Sequence, residues 1–187
     1  MCYTLEENGG NDMGNNTIVI TPTTEDDLQN ICDLWNNGEV MKTVGFPRGT
    51  GDTLEGIKKW NERTKERRPL STHYSIYCDT LGYCGESGYQ IHTDTKIASL
   101  DIKLLPEARG KGIAYEALSF VIGEAFANGA IKVWVDPHPS NEKALLLYQK
   151  LGFQRKEMPE FVKLLEQVDE MNYVPVYMEI ELENWDK

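Results

Sequence analysis

A glycine-containing loop between two apolar segments is the clearest chemical feature of the sequence. The residues Arg109-Gly110-Lys111-Gly112-Ile113-Ala114 follow a strand-like run that ends at Leu105 and precede a helical run. Glycine lets the backbone turn sharply and expose successive N–H groups, and the N-terminus of the following helix adds its positive dipole end. The loop therefore predicts an anion cradle, and we expect it to bind a pyrophosphate.

The residues of this loop do not match the two most familiar phosphate-binding sequence patterns. A Walker loop requires Ser or Thr after Gly-Lys, and a Rossmann loop requires a third Gly or Ala where Tyr115 stands. The pattern Arg-x-x-Gly-x-Ala instead resembles the acyl-CoA loop of the GCN5-related N-acetyltransferase (GNAT) family. This resemblance implies acetyl-CoA as cosubstrate. The implied contacts of its pyrophosphate are Arg109, Gly110, Lys111, Gly112, Ile113 and Ala114.

A second motif begins roughly thirty residues later and extends the resemblance to nearly the whole chain. Asn141 is placed to cap an amphipathic helix, Gly152 to end it, and Ala144 and Tyr148 share one face at i, i+4 spacing. In the GNAT family an Asn opens the corresponding helix, an Ala packs near the pantetheine arm and a Tyr lies one turn later. Both motifs occur in the family's order and separation.

The coarse pattern alternates helices and strands without repeats and predicts one domain at residues 17–187 after a disordered leader at 1–16. The resemblance implies that this domain is an N-acetyltransferase. The resemblance implies an α/β (α+β) acyl-CoA N-acyltransferase fold. Its central sheet is mixed and mostly antiparallel, flanked by helices, and its fourth and fifth strands run parallel and splay apart. Strands are predicted near 17–20, 71–78, 82–91, 96–105, 131–135, 153–157 and 175–182. Helices are predicted near 24–36, 53–67, 112–127, 141–151 and 159–173. The last is a candidate lid over the acceptor side, and the alternative is a surface helix whose carboxylates are simply solvated.

The strand before the glycine loop carries charged residues within an apolar run. The resemblance places the backbone of Ile102, Lys103 and Leu104 beside pantetheine, and Asp101 near the acceptor amine. A primary amine with a pKa of about 10 must lose a proton before it attacks a thioester. Asp101 is therefore a candidate general base, although it could simply pair with a nearby Lys or Tyr hydroxyl. Glu86 is a second candidate base and could instead steer a cationic substrate.

Departure of the thiolate would be assisted by a hydroxyl donor, since the pKa of a thiol is roughly 8.5. The resemblance implies that Tyr148 is this acid, and that Asn141 and Ala144 contact the cosubstrate. The alternative for Tyr148 is an ordinary aromatic residue of the core. Because no cysteine falls in either motif, we expect direct transfer in a ternary complex rather than a covalent acyl-enzyme.

Different segments of the sequence resemble enzymes with different acceptors. The run Val135-Asp136-Pro137-His138-Pro139 resembles aminoglycoside 6′-N-acetyltransferases, which implies that Asp101 and Asp136 contact a small cationic amine. In contrast, the segments 35–47 and 106–118 resemble enzymes that acetylate ribosomal-protein N-termini. Phe46, in the first interhelical loop, is a candidate acceptor contact in either case. A CoA-binding sensor without turnover is a further alternative.

The composition of the chain limits the classes of molecule that it is expected to bind. The net charge of −11 opposes nucleic-acid binding and suits cationic acceptors, although it equally suits a merely soluble surface. The four cysteines form no CxxC pair and no metal-ligand spacing, so no metal is expected. There is no apolar run of membrane-spanning length and no signal-like start, so we expect a cytoplasmic monomer or homodimer without a membrane partner.

Overall fold

The computed structural model describes residues 3–5 and 17–185. Apart from the first strand, the leader expected at residues 1–16 lies outside the described residues. The strands are β1 (Tyr3–Leu5), β2 (Ile18–Pro22), β3 (Ser71–Cys78), β4 (Gly82–Ile91), β5 (Ile97–Leu104), β6 (Lys132–Val135), β7 (Gln154–Arg155) and β8 (Met178–Glu181). The α-helices are α1 (Leu28–Asn36), α2 (Gly38–Met41), α3 (Leu54–Glu66), α4 (Ile113–Ala127), α5 (Glu142–Lys150) and α6 (Glu160–Leu165).

These strands form one eight-stranded sheet in the order β1-β2-β3-β4-β5-β6-β8-β7. Only β5 and β6 pair in parallel, and they are the fourth and fifth strands when β2 is counted as the first. Their pairing runs from Ile97 opposite Lys132 to Ser99 opposite Trp134, whereas β5 continues to Leu104. The expected acyl-CoA N-acyltransferase fold, with its mixed sheet and splayed strands, is confirmed.

Helices cover both faces of the sheet. The ring of His73 packs 4.7 Å from Trp60 of α3, whereas the ring of the next residue, Tyr74, packs 5.2 Å from Phe120 of α4. Successive side chains of a strand point to opposite faces, so α3 and α4 lie on opposite sides. The main core lies under α4, and a smaller cluster between α1 and α3 includes Ile31 and Ile57.

A β-bulge in β4 determines which face Glu86 occupies. Ile76 pairs with Gly85 and Tyr77 pairs with Tyr83, so Cys84 is the extra residue. Tyr83 packs against the α1–α3 cluster, and Glu86 three residues later contacts Trp35 of α1. An odd separation would place them on opposite faces of a regular strand, so the bulge turns Glu86 toward α1 and α3.

The predicted helix over residues 159–173 was too long. Helix α6 ends at Leu165, and a separate 3₁₀ turn covers Val168–Glu170. Gln167 between them has a φ of 52°, a left-handed conformation that an α-helix does not continue through. Val162 is the fully buried residue of α6 and packs with the cluster that contains Trp134, so only the first turn is tied to the sheet.

Gly85 is required for the bulge. It has a φ of 148°, and a Cβ there would lie 2.1 Å from the carbonyl oxygen of Lys103. We expect Gly85→Ala to lower the free energy of unfolding by about 2 kcal/mol more than Gly82→Ala, measured by urea denaturation. Gly82 also has a positive φ, 72°, but nothing lies within 4 Å of its Cβ position. Equal losses for the two variants would contradict this steric account.

Candidate active site

A cavity of about 730 Å³ opens where β5 and β6 diverge. Its floor comes from β4 and β5 on the sheet face that α3 covers, and one wall is the connection from β6 to α5. Helix α3 and the segment after α6 form the remaining walls. Its lining includes Arg63, Arg67, His73, Gln90, Asp101, Lys103, Trp134, Asp136, His138, Asn141, Ala144, Tyr148, Glu166 and Tyr173.

Three carboxyl groups meet at one end of this cavity. Asp101 lies on β5 two residues beyond its last pair with β6, Asp136 follows β6, and Glu166 follows α6. Burial raises the pKa of Asp136 to about 7, with further contributions from the charges of Glu166 and Asp101. Burial and the charge of Asp101 also raise the pKa of Glu166. Mutual repulsion of this kind favours a positively charged ligand between the carboxylates.

The hydroxyl of Tyr148 faces this acidic end. Asn141 caps α5 by accepting a hydrogen bond from the N–H of Ala144 at 3.2 Å, and the ring of Tyr148 lies 5.5 Å from that of Phe153. Among the described residues, the Tyr148 hydroxyl has no hydrogen-bond partner. Burial raises its pKa, and Asp101 and Asp136 raise it further, so the phenol stays protonated and can donate a proton.

A buried network of charges lies behind Asp101. Glu86 is fully buried and accepts a hydrogen bond from the indole of Trp35. Lys103 Nζ lies 3.2 Å from Glu86 Oε1 and also pairs with Asp101, while His73 Nε2 lies 3.1 Å from Glu86 Oε2. Lys103 thus joins a buried carboxylate to one at the cavity surface.

These partners keep Glu86 ionised despite its burial. Burial alone would raise the pKa of Glu86, but the charges of His73 and Lys103 and the hydrogen bonds from His73 and Trp35 lower it to about 2. Burial would likewise lower the pKa of Lys103, and Asp101 and Glu86 together raise it instead. Glu86 does not line the cavity. Its position suits it to holding Lys103 in place.

The predicted anion cradle lies at the exposed N-terminus of α4. Gly110 and Gly112 have φ values of 74° and 81°, and nothing lies within 4 Å of a Cβ at either position. Among the described residues, no group accepts from the backbone N–H groups of residues 110–114. The open space, the free donors and the exposed Lys111 fit a bound pyrophosphate.

Arg109 has a different position from its neighbours in the loop. Its Nε and Nη2 donate to the carbonyl oxygen of Leu104 at 3.1 and 3.0 Å. The guanidinium therefore ties the start of the loop to the end of β5. Beyond Ser99, no strand among the described residues pairs with the β5 edge that faces β6, so the backbone there is available to a ligand.

The structure brings together most of the predicted site residues but not all of them. Phe46 is 49% exposed and does not line the cavity, whereas Thr43 and Val44 from the same connection do. Glu166, Arg63 and Arg67 are additional lining residues. The i, i+4 spacing of the two arginines on α3 was a signal in the sequence that they share one helix face.

The sequence comparison agrees with this geometry. Residues 17–154 match the family described as "Acetyltransferase (GNAT) domain". The chain belongs to the GNAT family. This membership confirms the expected N-acetyltransferase and its cosubstrate, acetyl-CoA.

Individual relatives are distant in sequence. An aminoglycoside N(6′)-acetyltransferase type 1 from Klebsiella pneumoniae is 21% identical over 154 residues, which cover 76% of each chain. The structure of spermidine N-acetyltransferase from Vibrio cholerae with CoA and spermine superimposes with a TM-score of 0.75 at 17% identity, covering 91% of this chain and 98% of that one. The phosphinothricin acetyltransferase of Sinorhizobium meliloti with acetyl-CoA gives a TM-score of 0.69 at 16% identity and 88% coverage of both chains.

Two classes of feature are absent from the described part of the chain. Within residues 17–185, no group of three or more His, Cys, Asp or Glu side chains could hold a metal ion. No helix there is long and apolar enough to cross a membrane.

The raised pKa of Asp136 predicts a pH-dependent stability difference. Its folded-state pKa of about 7 exceeds an unfolded value of about 3.9, so its contribution to stability is present below pH 4 and lost as pH rises toward 7. Asp136→Asn avoids this loss. After solvent screening, we expect the variant's advantage in Tm to grow by roughly 2–4 °C between pH 4 and pH 8, measured by calorimetry. An advantage that does not change with pH would contradict the assignment.

Proposed function

We propose that this protein transfers the acetyl group of acetyl-CoA to the primary amine of a small acceptor that is cationic at the reacting end. The observation that carries the proposal is the convergence of a protonated phenol, Tyr148, with Asp101, Asp136 and Glu166 where β5 and β6 diverge. This arrangement supplies an ammonium site, a proton acceptor and a proton donor in one cavity.

The chain's own residues determine where acetyl-CoA would lie. The N–H groups of residues 110–114 and the dipole of α4 would hold the pyrophosphate, with Lys111 nearby. The open edge of β5 at Ile102–Leu104 would accept the pantetheine amides, and Asn141 and Ala144 would flank that arm. The thioester supplies an activated acetyl group.

Asp136 is the best-placed proton acceptor for the amine. Asp101 is engaged in an ion pair with Lys103, whereas the pKa of Asp136, about 7, suits proton transfer near neutral pH. The acceptor nitrogen forms the new C–N bond as the C–S bond of the thioester breaks. Asp136 takes the proton from the amine, directly or through water, and Tyr148 gives its proton to the departing sulfur.

Two further observations support direct transfer to a small amine. None of the cysteines that the structure describes lines the cavity, so a thioester to the enzyme has no candidate nucleophile there. Two of the three relatives above are named for aminoglycosides and spermidine, which are amines. They favour a small-molecule acceptor over a ribosomal-protein N-terminus.

The proposed role of Tyr148 predicts a selective loss of turnover. With a panel of small amines, wild-type enzyme should release CoA thiol from acetyl-CoA only when an amine is present. Tyr148→Phe should lower kcat by about 100-fold with little change in acetyl-CoA affinity, because a general acid contributes roughly that factor. Tyr77→Phe, which removes a hydroxyl outside the cavity, is the control. Turnover within a factor of about two of wild type would remove Tyr148 from the mechanism.

The cradle assignment predicts a charge-specific effect at Gly112. Gly112→Asn and Gly112→Asp share a similar shape, and both residue types tolerate a left-handed backbone better than others. Only aspartate adds a negative charge beside the pyrophosphate. We expect Gly112→Asp to weaken acetyl-CoA binding by about 30-fold or more relative to Gly112→Asn, measured by titration calorimetry. The same affinity in both variants would place the pyrophosphate elsewhere.

A further inference from the structure

The cavity has a second end with the opposite charge. Arg63 of α3 and Arg67, the residue that caps the C-terminus of α3, are exposed side chains that line this end, and Gln90, Thr72 and Ser71 line it with them. All are polar groups that can donate hydrogen bonds. The three carboxyl groups of Asp101, Asp136 and Glu166 line the opposite end. The cavity is therefore polarised along its length.

The two arginines are not neutralised by the protein. Arg67 Nη1 donates to Gln90 Oε1 at 3.2 Å, which leaves its charge uncompensated. Arg63 has neither an ion pair nor a hydrogen bond to any residue that the structure describes. The neighbouring basic residues differ, since Lys65 pairs with Glu25 at 3.6 Å and Arg68 donates to the carbonyl of Thr23 at 3.5 Å.

A favourable interaction with the helix dipole explains why basic residues occur near the end of α3. It does not explain why two of them line the cavity. Lys65 and Arg68 belong to the same region and do not line the cavity. Arg63 and Arg67 are the members of this basic group that line it. A planar guanidinium without a partner is well suited to bind a carboxylate or a phosphoryl oxygen pair.

Strand register sets the separation of the two ends. Gln90, which holds Arg67, pairs with Ser99, and Asp101 lies two residues further along β5 on the same face. With strands ~4.8 Å apart and ~3.3 Å per residue, the Cα atoms of Gln90 and Asp101 are roughly 8 Å apart. This backbone spacing favours an acceptor whose amine and anionic group are several atoms apart over an α-amino acid, in which both groups share one carbon.

We propose that the acceptor is zwitterionic, with its reacting amine at Asp101, Asp136 and Glu166 and an anionic group, carboxylate or phosphoryl, bound by Arg63 and Arg67. The inference rests on the proposed function for the identity of the reaction. It distinguishes this site from one for a linear polyamine. A second ammonium group at the arginine end would meet like charges and bind poorly.

A set of matched amines tests the inference. 6-Aminohexanoate carries an amine and a carboxylate at suitable separation, 6-aminohexanamide has the same shape without the negative charge, and 1,5-diaminopentane carries a second ammonium. We expect kcat/KM for 6-aminohexanoate to exceed that of the other two by about tenfold or more, as one charge-assisted hydrogen bond would produce. 5-Aminopentylphosphonate, compared with the carboxylate, shows which anion the arginines prefer.

Variants assign the preference to the arginine end. Arg63→Gln should lower kcat/KM for 6-aminohexanoate about tenfold and leave that for 6-aminohexanamide nearly unchanged. Lys58→Ala removes a positive charge from the exposed surface of the same helix and should alter neither. A wild-type enzyme that uses the acid and the amide equally, prefers the diamine, or shows no dependence on Arg63 would overturn the inference.

Calorimetric binding of 6-aminohexanoate to the protein without acetyl-CoA separates this inference from the proposed function. Binding that weakens in Arg63→Gln supports the anion site even if no amine causes thiol release, a result that would overturn only the transferase proposal. Acetyl transfer to 1,5-diaminopentane with no binding of 6-aminohexanoate would uphold the transferase and overturn the zwitterionic acceptor. Neither binding nor transfer would overturn both.

Discussion

The divergence of β5 and β6 is the constraint on which the rest of the site depends. Their parallel pairing stops at Ser99 and Trp134, and beyond that point β5 keeps only β4 as a partner. A strand edge without a partner exposes backbone donors and acceptors that a ligand with amide groups can satisfy. The same divergence makes room for α5 to bring Tyr148 to the gap and for the end of β6 to bring Asp136 opposite Asp101. The open strand edge for the cosubstrate, the proton donor Tyr148 and the acidic end of the cavity therefore all depend on this divergence.

Ion pairs and hydrogen bonds allow the sheet to hold a buried charge, that of Glu86, next to the gap between β5 and β6. Burying Glu86 as an isolated anion would cost too much free energy, but Lys103, His73 and Trp35 all contact its carboxylate. Lys103 also forms an ion pair with Asp101 and so holds the Asp101 carboxylate at the cavity surface. Burial and the charges of Glu166 and Asp101 raise the pKa of Asp136 to about 7, and no Lys or Arg among the described residues forms an ion pair with it. The two aspartates at this end of the cavity thus differ in environment, because Asp101 has a lysine partner and Asp136 is buried beside two other carboxyl groups.

Local signals predicted much of this molecule because their physics is local. The caps of α5 at Asn141 and of α4 at Gly112 depend on backbone N–H groups a few residues away, and both lie where the sequence indicated. Strand alternation likewise placed β3, β4 and β5 within a residue or two. The helix predicted over 159–173 failed because its apolar spacing suggested continuity, whereas Gln167 adopts a left-handed conformation that interrupts it. Phe46, predicted as an acceptor contact, lies outside the cavity lining, because the direction of a loop side chain depends on packing between distant elements.

The sequence by itself determined the family, the order of the elements and the residues of the two motifs, since these depend on short-range backbone geometry and on patterns along the chain. Only the tertiary structure decided which charges meet. The bulge at Cys84 turned Glu86 toward Trp35 and His73, residues 51 and 13 positions away in the chain. Folding also placed Glu166 beside Asp101 and set Arg63 and Arg67 at the opposite end of the same cavity. Charge interactions act through space and depend on burial, so the acidity of Asp136 and the polarity of the cavity could not be read from neighbours in the chain.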